Sequence, residues 1–178
     1  MNRADDHILV RRCLEGDIKA FEGIVDRYEK IIYNAALRIV KNQDTAADVT
    51  QSVFLKVYDN LKRFNERYKF FSWIYKIAVN EALHTLRQTK PTDELGDHLV
   101  STEKNPEEVY RENEQEDKIQ DALMRIGRDY RVVIVLRHFH DLSYDEIGYV
   151  LDIPEKTVKS RLFTARNLLK DILQKEGL

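Results

Sequence analysis

From Ala20 to Asn42 the apolar positions Phe21, Ile24, Val25, Tyr28, Ile31, Ile32, Ala35 and Ile39 recur at steps of three and four, which predicts an α-helix with one buried face. Asn42-Gln43-Asp44 ends it, with Asp44 or Thr45 placed to cap a second helix carrying Val49, Val53, Phe54, Val57, Tyr58 and Leu61. The pattern then fails from Phe64-Asn65 to Ser72, which reads as the N-cap of a helix from Trp73 to Gln88. A short basic and aromatic loop therefore joins two helices.

From Lys90-Pro91 through Gly96, Ser101 and Asn105-Pro106 there are few large apolar residues and no period, which predicts an exposed linker. Pro106 is placed to open a helix containing Val109, Ile119, Leu123 and Ile126, which Gly127 ends or kinks. Asp129 to His140 holds a β-branched run that could pass for a strand, but its length and helical surroundings favour helix. Ser143-Tyr144-Asp145-Glu146 is a capping box ahead of Ile147, Val150 and Leu151. Asp152-Ile153-Pro154 breaks that helix, and a last one runs from about Glu155 to Gln174. No strand has a pairing partner. The expected fold class is all-α, with two small helical domains: residues 1–90, a flexible acidic linker 91–115, and 116–178.

Length and composition fit this division. The 178 residues suffice for two small domains, 43% apolar and 34% charged, with only six Gly and three Pro. No stretch approaches the roughly 20 apolar residues of a membrane span, and the start has no apolar export run, so a cytoplasmic protein is expected. Cys13, the single cysteine, cannot form an internal disulfide, and no Cys/His spacing resembles a zinc site. No cofactor or metal is expected.

Net charge is −2, yet the segments oppose one another. Residues 1–90 hold 16 Lys+Arg against 12 Asp+Glu, residues 91–121 hold 3 against 11, and residues 122–178 hold 10 against 8. Two mildly basic blocks flank an acidic bridge.

The most specific local signal runs from Leu142 to Leu162: a short capped helix, a tight turn and a longer basic helix, the arrangement of a helix-turn-helix. At 100° per residue Val158, Leu162, Ala165 and Leu169 fall within about 60° and form the buried stripe. Lys156, Lys159, Ser160, Phe163 and Asn167 face the other way, where a DNA groove would meet them. The lysines suit phosphates or a guanine edge, Ser160 a donor or acceptor, and Phe163 a thymine methyl. Arg161 and Arg166 flank that face, suited to the phosphate walls. A merely solvated helical hairpin would explain the charges but not an exposed Phe163.

A second signal lies in residues 56–90, which hold eight Lys+Arg against three acids, interleaved with Phe64, Tyr68, Phe70, Phe71, Trp73 and Tyr75. Cations that track a backbone beside aromatic faces can hold single-stranded nucleic acid. Trp73, one turn before Ile77, reads as core; for the loop Asn65 to Phe71, core and stacking platform are equally open.

Three motifs in this order resemble the extracytoplasmic-function (ECF) sigma factors, small promoter-recognition subunits of bacterial RNA polymerase: Asp48 to Tyr58, Phe71 to Asn80, and Thr157 to Leu162 followed by Ala165-Arg166. The resemblance spans nearly the whole chain. It implies that the N-terminal domain opens and reads a minus 10 element, through Lys62, Phe64, Asn65, Lys69, Phe71, Lys76 and Asn80. It likewise implies that Lys156, Thr157, Lys159, Ser160, Arg161, Phe163, Thr164, Arg166 and Asn167 read a minus 35 element.

It further implies that Asp48, Gln51, Ser52 and Phe54 dock on core polymerase, at the clamp helices of its largest catalytic subunit. The implied partners are core RNA polymerase, promoter DNA as duplex and single strand, and an anti-sigma factor, with the free chain a monomer. This sequence departs from the family in Ala47 and Ser52, where acids are usual, in His84 for a frequent Asp, and in Gly127 for a frequent Pro. Asp152 and Lys156 stand where turn glycines are usual; Asp tolerates the left-handed conformation, so the fold is expected to survive.

Two other readings bear on the same residues. A stand-alone repressor or activator would use the helix-turn-helix directly, but it would leave the aromatic loop idle. An enzyme would need a constellation that is missing here: His138 and His140 diverge by about 200° on a helix and cannot share a metal there.

Overall fold

The computed structural model describes residues 3–88 and 106–175, with side chains over 5–88 and 116–175. Among these residues the fold is all-α. The order is α1 (Arg3–Leu14), α2 (Ile18–Val40), α3 (Gln43–Asn60), a 3₁₀ turn (Leu61–Arg63), α4 (Phe70–Gln88), α5 (Pro106–Arg125), α6 (Arg128–Ile134), a π-helical turn (Val135–Phe139), α7 (Tyr144–Leu151) and α8 (Glu155–Lys175).

Helix α1 has no counterpart in the periodicity, because its apolar residues Ile8, Leu9 and Val10 are consecutive and only Val10 is fully buried among them. Asp17 caps α2, accepting from the backbone N–H of Lys19 and Ala20. The α2 stripe Ile24, Tyr28, Ile32, Ala35 and Ile39 is buried as the spacing requires. Helix α3 is capped by Asn42, not by Asp44 or Thr45: its side chain accepts from Thr45 N at 2.7 Å. Helix α4 begins at Phe70, so Ser72 lies within its first turn and is buried instead of capping it. The ring of Phe70 supplies the reason, since it buries fully against Tyr28, Phe64 and Trp73 and draws the chain into helix three residues early.

Helix α5 starts at Pro106, so the linker expected over 91–115 gives way to helix before its end; residues 91–105 lie outside the described residues. Gly127 stands between α5 and α6 as the first residue of the turn. The segment expected as helix from Asp129 to His140 is helical to Phe139, widening at Val135–Phe139 into a π-helical turn that His140 ends. Ser143 and Glu146 form the capping box of α7. Asp152 ends α7 in the left-handed conformation (φ 57°, ψ 43°), so an Asp fills the turn's glycine place, as expected. Gly148 is needed for a different reason: a Cβ there would stand 2.8 Å from the Ile153 carbonyl oxygen, where the turn folds back onto α7.

The two halves pack on each other through α4 against α7 and α2 against the π-helical turn and α5. Their key is Arg131, 5% exposed. Its guanidinium donates to the carbonyl oxygens of Ile39 (2.7 Å), Leu123 (2.9 Å), Met124 (3.0 Å) and Ile126 (3.5 Å). These are orphan acceptors at the ends of α2 and α5, where the helix dipoles gather negative charge. Among the described residues no carboxylate hydrogen-bonds to it; burial pulls its pKa down to about 10, which still leaves it charged at neutral pH. The next orphan carbonyl, that of Arg38, accepts from Gln120 of α5 at 3.1 Å, and Lys41 pairs with Asp121.

Candidate nucleic-acid interface

Helix α8 divides as the wheel requires. Val158, Leu162 and Ala165 are buried against α6 and α7, and Leu169 is half-buried. On the outer side Lys156, Lys159, Ser160, Phe163, Arg166 and Asn167 are exposed, Phe163 to 69%; Thr157, Arg161 and Thr164 sit half-buried at the edges. Among the described residues this large ring stands mostly in water between cations, where a thymine methyl or base edge could pack on it. Lys159 pairs with Glu155 one turn earlier at 2.6 Å and lies 5.6 Å from the Tyr144 ring centre. That hydrogen bond holds its ammonium above the usual lysine range.

The two flanking arginines are tethered. Arg161 reaches Asp129 at the start of α6, 3.2 Å away, and Arg166 donates to His138 Nε2 at 3.1 Å. Burial first, then the positive charges of Arg166 and Arg137, push the His138 imidazole below its usual pKa, so it accepts from Arg166 as a neutral ring.

In the N-terminal half the aromatic residues separate into two sets. Phe64 packs between His7, Phe70 and Trp73, and Phe71 against Tyr28 and Tyr75, so Phe64 and Phe71 belong to the core and are not open stacking surfaces. Trp73 joins the same cluster, as expected. Tyr68 in this loop is 44% exposed, with one face of its ring stacked on Tyr149. Lys62, Asn65, Lys69 and Asn80 are exposed, and Lys76 is half-buried. Asn65 shapes the loop by accepting from Arg67 N at 3.0 Å, an Asx-type turn.

Three of these side chains meet α7. Lys69 pairs with Glu146 at 2.8 Å, Tyr68 stacks on Tyr149 with ring centres 4.1 Å apart, and Lys76 lies 4.9 Å from the Tyr149 ring centre and 3.9 Å from Asp152. Buried Ser72 donates to Glu146 at 3.5 Å. Burial works to raise the Glu146 carboxyl, but the hydrogen bonds from Lys69 and Ser143 outweigh it and hold it below the usual range. The spacing of residues gave no sign of these contacts, which join positions more than 70 apart.

On α3, Asp48 and Gln51 are exposed and Ser52 is half-buried, while Phe54 turns into the core at 9% exposed. Phe54 is therefore corrected to a core residue, because α3's inward stripe of Val49, Val53 and Val57 carries it along. The apolar side chains that α3 does offer are Leu55 and Tyr58, 69% and 60% exposed. Both lie about three to four turns from the helix start on the same face as Asp48 and Gln51, a pattern the sequence shows once the buried stripe is known.

A helix-turn-helix with a cationic, ring-bearing outer face, set behind a second helical module, defines a DNA-reading protein. Residues 24–92 match the family model Sigma-70 region 2, and residues 116–169 match Sigma-70, region 4. The chain is 32% identical to the RNA polymerase sigma-H factor of Pseudomonas aeruginosa, over 98% of this chain and 96% of that one. It is 33% identical to the ECF RNA polymerase sigma factor SigW of Bacillus subtilis, over 93% of this chain and 95% of that one. The fold is similar to that of the sigma factor RpoE in complex with the anti-sigma factor NepR from Bartonella quintana, with a TM-score of 0.73, 19% identity, and coverage of 88% and 98% of the two chains. The chain belongs to the ECF sigma factors, which direct RNA polymerase to promoters and initiate transcription.

Among the described residues no helix is long and apolar enough to cross a membrane, and no cluster of three or more His, Cys, Asp and Glu could hold a metal ion.

Proposed function

We propose that residues 1–90 bind core polymerase and read a minus 10 element, that 116–178 read a minus 35 element, and that 91–115 connect them. The observation that carries this is the outer face of α8, where Phe163 stands 69% exposed between Lys159, Ser160 and Asn167. Lys156 adds a cation at the helix start where a glycine would offer none. Lys159 and Ser160 reach base edges; Thr157, Arg161, Thr164 and Arg166 position the helix on phosphates.

On the N-terminal module Lys62, Asn65, Lys69, Lys76 and Asn80, with Tyr68 as the stacking ring, hold the separated strand. Exposed Asp48, Gln51, Leu55 and Tyr58 dock α3 on the clamp helices of the largest polymerase subunit, charge setting the approach and apolar area the hold. The chain itself makes and breaks no bond, works in the cytoplasm, and is a monomer when free. Relatives solved with anti-sigma factors support control by such a partner here.

Reconstituted transcription with core enzyme and a promoter library tests the assignment. Each good base contact contributes about 1–3 kcal/mol of discrimination, so K159A and S160A are expected to lower upstream-element selectivity about 5- to 150-fold with core binding retained. Unaltered promoter choice by both variants overturns it.

A further inference from the structure

At the end of the π-helical turn four consecutive side chains leave in four directions. Arg137 donates to the Leu142 carbonyl oxygen at 3.0 Å, Phe139 has the Arg38 guanidinium carbon 3.9 Å from its ring centre, and His140 packs on Tyr75 of α4. His138 is the one aimed at the recognition helix, where its Nε2 accepts from the Arg166 Nε–H at 3.1 Å. Widened turns of this kind are frequent at functional sites.

A guanidinium only donates, so Nε2 is the unprotonated ring nitrogen and the neutral imidazole carries its proton on Nδ1. The two arginines that flank the outer face of α8 are thus held differently. Arg161 is held by a carboxylate, that of Asp129 at 3.2 Å, which offsets its charge. Arg166 is held by an uncharged ring, and among the described residues none that lines the groove around the pair, Ile119, Ile134, Phe139 and Leu169 included, is acidic. Its direction is fixed while its charge is kept. The bond uses Nε, which leaves both terminal nitrogens of the exposed fork for another acceptor.

We propose that His138 is a positioning residue for DNA binding: it holds Arg166 by Nε, so that the terminal nitrogens meet a backbone phosphate in an orientation set before the DNA arrives. This rests on the phosphate-contacting role proposed above for Arg166. A long exposed side chain gives up its rotamer freedom when it engages a partner, and ordering it beforehand lowers that cost. Unlike Asp129 on the other flank, the ring brings no negative charge that a phosphate would have to displace.

A phosphate contact carries no sequence information, so the full-length chain is titrated with a fluorescein-labelled DNA duplex of mixed sequence over a series of potassium chloride concentrations. H138L fills the same space without an acceptor. It is expected to weaken binding about two- to tenfold, the range for ordering one long side chain, with the slope against log salt unchanged because the Arg166 charge remains. H138Q, whose amide oxygen can accept in place of Nε2, is expected to bind within about twofold of the unaltered chain. R166A is expected to lower the salt slope by about 1, and H138L in that background to weaken binding no further.

A loss in H138L that H138Q does not recover, or that persists at full size on top of R166A, overturns the inference, since His138 then acts through packing. H138L binding as tightly as the unaltered chain overturns it too, while an R166A defect in the same series leaves the phosphate role of Arg166 standing. If R166A changes neither affinity nor slope, that phosphate role is wrong and the positioning role falls with it.

Discussion

Replacing Arg131 tests the principle on which the two halves are joined. Among the described residues its guanidinium donates to four carbonyl oxygens drawn from two helix ends, three of them within 3.0 Å. Truncation to Ala removes hydrogen bonds from a charged donor, each worth about 1.5–3 kcal/mol, and leaves acceptors in a site too enclosed for full hydration. Against this stands the cost of burying the charge, which shows in the pKa lowered to about 10. The net expectation is a loss of about 3–5 kcal/mol, in the range for breaking a buried charged network.

Arg131→Met is the sharper variant, since it keeps the apolar stem and removes both the charge and its burial cost. If unmet carbonyls dominate, Met is nearly as damaging as Ala; if charge burial dominates, Met is neutral or stabilising. Urea unfolding followed by circular dichroism reads both, and for a chain of this size about 3–5 kcal/mol corresponds to a melting shift of about 6–20 °C. A loss under about 1 kcal/mol in both variants refutes the argument that Arg131 caps α2 and α5.

Gly148→Ala is expected to cost about 1–3 kcal/mol and to weaken duplex binding, because its Cβ would press on the Ile153 carbonyl backbone, which has no rotamer by which to yield; a melting curve with a wild-type midpoint counts against it. Leu55→Asp is expected to weaken core-polymerase binding at least tenfold while leaving the melting temperature within about 2 °C, since Leu55 is 69% exposed; co-migration with core enzyme measures it. His140 lies against Tyr75 of α4, with Arg38 of α2 and Asp141 beside it, and burial, then Arg38, lowers its imidazole pKa from 6.5 to about 4. The packed state therefore keeps this contribution above about pH 6.5 and loses it as pH falls toward 4, by at most about 3 kcal/mol; H140Q is expected to flatten the pH dependence of the urea midpoint between 7 and 5, and an unchanged slope counts against it.

Periodicity located seven of these helices because each buries one continuous stripe, and a stripe is a local property of the chain. It failed at α1, whose buried residue Val10 sits among consecutive apolar neighbours, and at the start of α4, where Phe70 is drawn in by partners 6 to 42 residues away. The buried and exposed sides of α8 were legible for the same reason: they are opposite sides of one helix. Phe54, Phe64 and Phe71 were misplaced because an aromatic ring near cations carries no local mark of which way it points. Leu55 and Tyr58 become visible only once α3's buried stripe is assigned, and Arg131, Glu146 and Tyr149 have meaning only through partners in the other half.

That last group joins the two halves through contacts of unequal strength. Lys69 pairs with Glu146 and Lys76 lies 3.9 Å from Asp152, both across the junction and both open to solvent on at least one partner. Exposed ion pairs of this kind contribute about 0–1 kcal/mol each and fade with salt. The buried carbonyl contacts of Arg131 and Gln120 do not, and they set the threshold for opening. A partner that separates the halves must therefore break those two caps as well as the weaker pairs.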